Sequence, residues 1–117
     1  FVEGGRVLCF LTGREIDSAH LNPDLDARRA SSDLIAFLTP IVKGFLTEAA
    51  MEVTSLAVQI HGGHGFIRQT GVEQLMRDAR ITPIYEGTNG IQAQDLAFRK
   101  VVRDGGKAMR ALIAEMD

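Results

Sequence analysis

The sequence predicts an all-α fold: an antiparallel helical bundle of four to five helices. Apolar residues recur at intervals of three and four along most of the chain, which is the spacing of one face of an α-helix. Only 3 prolines interrupt the 117 residues, and stretches that alternate between β-branched and polar residues are few. The connections between the apolar segments are short, which favours antiparallel packing of neighbouring helices.

The overall composition argues against several classes of protein. Hydrophobic residues make up 45% of the chain, which is enough for one folded domain with a modest core. The formal net charge of −2 lacks the basic excess of a nucleic-acid-binding surface. No apolar run approaches the roughly 20 residues of a membrane-spanning helix, so we expect no membrane span. The single cysteine, Cys9, cannot form an internal disulfide, which favours a reducing, cytoplasmic compartment.

The start of the sequence suggests a piece of a longer protein. The first residue is Phe1 rather than Met, and no signal segment opens the chain. We therefore expect residues 1–117 to form one domain of a longer chain. Part of any binding site would then lie outside it.

The first helix is predicted from an imperfect apolar stripe. Its members are Val7, Leu8, Leu11 and Ile16. Gly4 and Gly5 each weaken a helix by about 1 kcal/mol relative to alanine, so the position of its start is open. The polar segment NPDLDARRASSD, residues 22–33, predicts a loop.

A long second helix is the clearest element. Its apolar face consists of Leu34, Leu38, Ile41, Phe45, Ala49, Val53, Leu56 and Ile60. Pro40 either falls in the first turn of this helix or kinks it. Three glycines within residues 62–65 favour a left-handed cap, so the helix is expected to end near the HGGHG segment.

Shorter helical segments complete the prediction. One starts near Thr70 or Gly71 and ends before Pro83. After the IYEGTNG segment, another runs until Gly105 and Gly106 break it, and a last amphipathic segment follows. The residues expected on their apolar faces are Val72, Leu75, Met76, Ala79, Ile91, Leu96, Ala97, Val101, Val102, Met109, Leu112, Ile113 and Met116.

The glycine run in QIHGGHGF, residues 59–66, has two interpretations. It stops a helix in a tight turn, or it lets another backbone or a ligand come close. It is neither a Walker loop nor a Rossmann fingerprint, because no strand precedes it. His61 and His64 lack a third neighbouring ligand, so we expect surface or capping histidines and no metal. Cys9 has apolar neighbours and is expected to be a buried small hydrophobic residue rather than a nucleophile.

Glu86 lies in a sharp bend, followed at once by Gly87. A carboxylate at a chain reversal, beside the start of a helix, suits a general base that is tuned by whatever binds next to it. A solvated turn residue is the alternative. Thr88 and Asn89 are good helix caps. Together with the free N–H groups of a helix start, they could also bind a polar ligand.

Residues 59–92 contain three short motifs at fixed spacing. They read QIHGGHGFIRQTGVEQLMRDARITPIYEGTNGIQ and carry Q-x-x-G-G-x-G-F, R-D-A-R-I and I-Y-E-G-T-N. This order resembles the C-terminal signature of the acyl-CoA dehydrogenase family. The flanking residues extend the resemblance over most of residues 31–100. They are similar to the subgroup of longer chains that includes the 3-methylmercaptopropionyl-CoA dehydrogenase-like enzymes.

The resemblance implies a fold, a reaction and a role for each matching position. The chain would be the C-terminal helical domain of an FAD-dependent enzyme that oxidises an acyl-CoA thioester to the trans-2-enoyl-CoA. Glu86 would be the base that removes the α-proton, while the β-hydrogen leaves as hydride to flavin N5. Gly87 would lie against the substrate.

The resemblance also implies cofactor contacts and partners. Those expected to contact FAD are Thr88 and Asn89 and, toward the cofactor of a neighbouring subunit, Gln59, Ile60, His61, Gly62 and Gly63. The partners implied are an acyl-CoA substrate, an electron-transfer flavoprotein or similar acceptor, and further copies of the chain in a homo-oligomer.

Two positions depart from the commonest pattern of the family. Gly90 stands where many members carry Gln, and Ala93 stands where many carry Arg. Neither is the base, so these differences concern cofactor contacts and not the class of reaction.

Two other readings of the sequence are open. An acyl-CoA oxidase shares the dehydrogenating half-reaction but passes electrons to oxygen. A non-catalytic helical relative used for assembly or DNA association is disfavoured by the presence of Glu86 and by the lack of a basic excess.

Overall fold

A computed structural model describes residues 2–116 of the chain. Within this range there are six α-helices, one short 3₁₀ turn and one π-helical segment, and there is no strand. The predicted all-α class is therefore confirmed, with more helices than the four to five expected. Phe1, at which the sequence starts, lies outside the described residues.

The first two helices form an antiparallel hairpin. Helix α1 spans Val2–Leu21, and helix α2 spans Leu25–Ile60. The two helices come close at Gly5, where an added Cβ atom would lie 3.0 Å from Leu46 Cδ2. Gly5, one of the two glycines that made the start of α1 hard to predict, is thus part of the contact between α1 and α2.

The loop predicted over residues 22–33 is wrong, because α2 already begins at Leu25. The side chain of Asp24 caps this helix by accepting a hydrogen bond from the backbone N–H two residues on, at 2.9 Å. Farther along the segment, Arg28 Nε donates to the carbonyl of Ala19 on α1 at 3.0 Å. The polar residues therefore form the solvated and α1-facing sides of a helix rather than a loop.

A buried carboxylate joins the two helices. Glu15 is only 7% exposed, and its oxygens accept hydrogen bonds from Arg14 Nη2 at 2.6 Å and from the Ser31 hydroxyl at 2.8 Å. Burial by itself raises the pKa of Glu15, but the hydrogen bonds from Arg14 and Ser31 and the charge of Arg14 outweigh it. The pKa of Glu15 therefore lies below its ordinary value of 4.5. The ionised form ties α1 to α2.

Helix α2 is the spine of the molecule. At 36 residues it runs for about 54 Å, and the longest dimension of the chain is 55 Å. Pro40 lies well inside α2 and the helix continues through it, so a position in the first turn is wrong. By length and composition α2 is apolar enough to cross a membrane, but the core helix of a soluble protein passes the same test. The expectation of no membrane span therefore stays a prediction.

The predicted helix stop after Ile60 is confirmed. Gly62 adopts a positive φ of 57°, which favours glycine. Helix α3, Gly63–Phe66, then turns back onto the end of α2. A Cβ atom at Gly65 would collide with the carbonyl oxygen of Val58. Gly65 is therefore required by a close approach within the chain.

Helix α4, Val72–Ile81, follows a 3₁₀ turn at Arg68–Thr70. Gly71 precedes it with a φ of 78°, which agrees with the predicted start. The helix ends before Pro83, as predicted, and Pro83 is buried. Leu75, expected to face inward, is exposed instead.

Helix α5, Asn89–Gln94, continues without a break as a π-helix over Asp95–Val102. The predicted helix is therefore present, but its wider π geometry was not predicted. Gly105 and Gly106, both with positive φ, end it as expected. Helix α6, Lys107–Met116, completes the described chain.

One-sided packing of α1 explains a wrong prediction about Cys9. The thiol is exposed, and it lines an open apolar groove of about 420 Å³ with Phe10 of α1 and Leu46 of α2. Val7 and Ile16, expected to face the core, are exposed for the same reason. Apolar neighbours in sequence did not imply burial, because α1 contacts other elements along one face.

The buried hydrophobic core within residues 2–116 is small, and its members are Phe37 and Leu38. The accessible surface is 8247 Å² for a mass of 12.8 kDa, whereas a compact monomer of this mass exposes about 6,300 Å². Large apolar side chains contribute to this surface, among them Ile60, which is 82% exposed, and Phe66, which is 79% exposed. Large apolar faces are therefore uncovered in this chain.

Candidate active site

The predicted base lies at the tip of the turn between α4 and α5. Glu86 has a φ of 54° and is the only non-glycine residue of the described range with a positive φ. Gly87 follows with a φ of 86°. A left-handed conformation disfavours a residue with a Cβ atom by roughly 1–2 kcal/mol. Contacts around the turn must therefore hold Glu86 in place, and its side chain is exposed.

Hydrogen bonds within the segment close this turn. The backbone N–H of Asn89 donates to the carbonyl of Pro83 at 3.1 Å, which spans the bend. The Gln92 side-chain amide donates to the carbonyl of Glu86 at 3.3 Å. At Glu86 the acceptor is the backbone carbonyl. The side-chain carboxylate of Glu86 forms no hydrogen bond or salt bridge within residues 2–116.

Helix α2 contacts the entry to the turn through Lys43. The ammonium group of Lys43 donates to the carbonyl of Thr82. It also lies 5.5 Å from the centre of the Tyr85 ring, within the range of a cation–π interaction. The Lys43 side chain is half-buried and forms no salt bridge in the described part of the chain.

Asn89 joins the exit of the turn to the same helix. Its Nδ2 donates to Glu48 Oε1 at 2.9 Å and lies 3.4 Å from the carbonyl of Gly44. Its Oδ1 lies 3.0 Å from the hydroxyl of Thr47. The side chain of Asn89 is therefore bonded to α2, and its predicted contact with FAD stays a prediction.

Thr88 caps helix α5, as its residue type indicated. Its Oγ1 accepts a hydrogen bond from the backbone N–H of Ile91 at 3.3 Å. Within the described chain the hydroxyl proton of Thr88 has no acceptor. One donor therefore remains for a ligand at this helix start.

The glycine run at the end of α2 is the second part of the predicted site. All five of its predicted residues are exposed: Gln59, Ile60, His61, Gly62 and Gly63. An added Cβ atom at Gly62 or Gly63 would meet nothing within 4 Å. His61 Nδ1 lies 2.9 Å from the carbonyl of Ala57, which agrees with a capping histidine. This backbone is open to an approaching ligand.

The two predicted parts are not adjacent in one chain. The turn contacts α2 near Thr47, well inside that helix, whereas the glycine run begins at its C-terminal end. The separation along α2 from Thr47 to His61 is roughly 20 Å. The glycine run and Glu86 are therefore available to different ligands or to different parts of a large one.

The predicted site residues do not line the large cavity formed within residues 2–116. A cavity of about 690 Å³ lies between α1, α2, the π-helix and α6, and Glu15, Phe37 and Arg103 are among its lining residues. It contains no predicted site residue. In residues 2–116, no three His, Cys, Asp or Glu side chains come together as metal ligands.

Comparison with known families supplies the deciding observation. The sequence profile of the acyl-CoA dehydrogenase C-terminal domain matches residues 23–100. The chain belongs to the acyl-CoA dehydrogenase family. The match covers α2 and the segments through the Glu86 turn and most of the π-helix, so both parts of the predicted site lie in the family domain.

Individual acyl-CoA dehydrogenases are similar along almost the whole chain. A 3-methylmercaptopropionyl-CoA dehydrogenase of Ruegeria pomeroyi is 58% identical over 97% of this chain. The broad-specificity linear acyl-CoA dehydrogenase FadE5 of Mycobacterium tuberculosis is 41% identical over 93% of it. A butyryl-CoA dehydrogenase of Syntrophomonas wolfei is 30% identical over 98% of it. The chain spans 18–19% of the length of these three relatives.

Sequence reasoning missed the residues of α2 that contact the turn. Lys43 and Glu48 lie about 40 residues before their partners. No short motif links them to Glu86 in the sequence. The available signal was that Lys43 is the one charged residue between Asp33 and Glu48, and this does not identify a partner.

Proposed function

We propose that the chain is the C-terminal helical domain of an FAD-dependent acyl-CoA dehydrogenase that converts an acyl-CoA thioester to its trans-2-enoyl-CoA. The observation that carries the proposal is the exposed carboxylate of Glu86 on a backbone held left-handed at the start of α5. The family match and the names of the relatives support the same reaction class. Residues 1–117 would form one domain of the longer enzyme.

Glu86 takes the α-proton of the thioester in this proposal. The α-proton is weakly acidic, so its removal needs a base held at a fixed position in a site from which water is excluded. The fixed backbone on both sides of Glu86 supports the first requirement. Gly87, the next residue, is proposed to lie against the substrate through its backbone, since the Cβ position of Gly87 is already occupied by the side chains of Gln92 and Ile91. Other domains of the enzyme would supply the cover that excludes water.

We place the cofactor contacts at two parts of the chain, the start of α5 and the glycine run after α2. Bound FAD would supply the acceptor for the β-hydrogen. Thr88 has a free hydroxyl donor, and Asn89 fixes the start of α5. The open backbone at Gly62 and Gly63 supports close approach of a large polar ligand. The residues proposed to contact FAD there are Gln59, Ile60, His61, Gly62 and Gly63.

The proposal includes partners beyond the substrate. The exposed side chains of Ile60 and Phe66 flank the glycine run, which supports coverage of this end by another copy in a homo-oligomer. An electron-transfer flavoprotein or similar acceptor would reoxidise the cofactor. The enzyme would work in the cytoplasm, where the free thiol of Cys9 stays reduced.

The experiment is replacement of the base in the full-length enzyme. Glu86→Gln keeps the shape of the side chain and removes its basicity, so FAD content should be unchanged and turnover of acyl-CoA with an artificial electron acceptor should be lost. Glu52→Gln, at an exposed position of α2, is the matched control and should retain activity. Near-normal turnover by Glu86→Gln refutes the proposal.

A further inference from the structure

The conformation of Glu86 depends on groups outside its own turn. Glu86 and Gly87 both have positive φ values, and the turn that contains them has no regular helix or strand of its own. A left-handed residue with a Cβ atom persists when its surroundings hold it there. The side chains that connect this turn to the rest of the fold come from one stretch of α2.

Lys43 binds the chain just before the base. Its ammonium donates to the Thr82 carbonyl. It also lies 5.5 Å from the centre of the ring of Tyr85, which is the residue before Glu86. Within the described chain the half-buried ammonium contacts this carbonyl and this ring and no carboxylate. Its position fixes where the chain enters the turn.

Glu48 binds the chain just after the base. Its Oε1 accepts from Asn89 Nδ2 at 2.9 Å, and the backbone N–H of Asn89 closes the turn onto Pro83 at 3.1 Å. Together with the hydroxyl of Thr47, which lies 3.0 Å from Asn89 Oδ1, Glu48 holds the side-chain amide of the residue whose backbone closes the bend. Lys43 and Glu48 lie about 8 Å apart along the axis of α2, so the two contacts hold the two ends of one turn.

We propose that Lys43 and Glu48 are positioning residues for Glu86: α2 holds the turn at both ends and so places the base for proton abstraction. The proposal rests on the proposed role of Glu86. Neither residue touches the reacting atoms. Lys43 acts through Thr82 and Tyr85, and Glu48 acts through Asn89. A small displacement of a base can slow proton transfer by about 100-fold while substrate binding is kept.

The test measures single-turnover formation of enoyl-CoA, kcat and KM in the full-length, FAD-loaded enzyme. Lys43→Met and Glu48→Ala should each lower the single-turnover rate and kcat by about 10- to 100-fold, with KM changed by less than about threefold. Lys43→Arg keeps a cationic donor and Glu48→Gln keeps a carbonyl acceptor, so each should restore most of the rate. A purely structural role predicts parallel loss of bound FAD, and FAD content is therefore measured in every variant.

Matched controls use residues of the same type away from the turn. Glu52→Ala, one turn farther along α2, and Lys107→Met, on α6, are both exposed and should keep the wild-type rate. If Lys43→Met does not fold, Glu48→Ala decides, because Glu48 is exposed and its replacement leaves no cavity in the core.

The same series separates the two proposals. Glu86→Gln is included as a reference, and its full turnover would overturn the role of the base and the positioning role together. The positioning role alone is overturned if Glu86→Gln is inactive while Lys43→Met and Glu48→Ala both react at the wild-type rate. Rate loss that Lys43→Arg and Glu48→Gln do not restore also contradicts it.

Discussion

Replacement of Gly87 by alanine should loosen the turn that carries Glu86. Gly87 has a φ of 86°, in the region that residues with a Cβ atom rarely adopt. An added Cβ atom would lie 3.0 Å from Gln92 Nε2, so this amide must move. The same amide donates to the carbonyl of Glu86 at 3.3 Å. The substitution therefore strains the backbone and weakens a hydrogen bond of the turn.

The expected destabilisation of the turn follows from these two effects. The left-handed conformation is unfavourable by about 1–2 kcal/mol for a residue with a Cβ atom. A weakened hydrogen bond adds about 0.5–1.5 kcal/mol. The free energy of local opening should therefore fall by about 1.5–3.5 kcal/mol. Since 1.4 kcal/mol is a factor of ten, opening becomes more frequent by between about tenfold and a few hundredfold.

Hydrogen exchange of the Asn89 backbone amide reports this opening directly, because the amide bonds to Pro83 across the turn. Gly90→Ala is the matched control. A Cβ atom there would lie 3.7 Å from Thr88 Oγ1, an ordinary contact, and alanine favours helix α5 by about 1 kcal/mol. Exchange should be faster in Gly87→Ala and unchanged or slower in Gly90→Ala. Equal exchange in Gly87→Ala and the wild type would refute the reasoning.

Three further predictions concern the chain itself. Leu38 is 2% exposed, so Leu38→Ala should lower the free energy of unfolding in urea by about 2–5 kcal/mol; Leu21→Ala, at an exposed position, should change it by less than about 0.5 kcal/mol. The lowered pKa of Glu15 means that its carboxylate stabilises the fold above its ordinary pKa of 4.5, and that this contribution is lost as the pH falls through the lowered value. Glu15→Gln should therefore unfold at a lower urea concentration at pH 7, and its free energy of unfolding should fall less steeply as the pH is lowered. An equally steep fall in this variant and in the wild type would contradict the role of Glu15. The isolated chain should hold FAD weakly, and purification of yellow protein would contradict that expectation.

Much of the fold could be predicted from local patterns in the sequence. The apolar spacing of α2, the glycines after Ile60 and the glycine pair after the π-helix marked the helices and their ends. The segment 22–33 was misjudged because its polar residues face solvent and α1, while a single capping residue, Asp24, decides where the helix begins. The π geometry after α5 and the exposure of Cys9 depend on packing between elements, which local spacing does not contain.

The residues of the candidate site could be proposed from the sequence, but the contacts between α2 and the Glu86 turn could not. The motif around Glu86 and the glycine run could be recognised from their order and spacing. The contacts of Lys43 and Glu48 could not, because they join residues about 40 positions apart. Their partners are a backbone carbonyl, an aromatic ring and an amide, and none of these forms a sequence signature. The bonding of Asn89 to α2 likewise required the structure.

The most direct test of the central claim compares two replacements of Glu86 in the FAD-loaded, full-length enzyme. Glu86→Asp keeps a carboxylate but withdraws it by one methylene, whereas Glu86→Gln keeps the length and loses the base. Single-turnover formation of enoyl-CoA should be slow but measurable in Glu86→Asp and absent in Glu86→Gln. A Glu86→Gln enzyme that forms product as fast as Glu86→Asp would show that another group removes the proton.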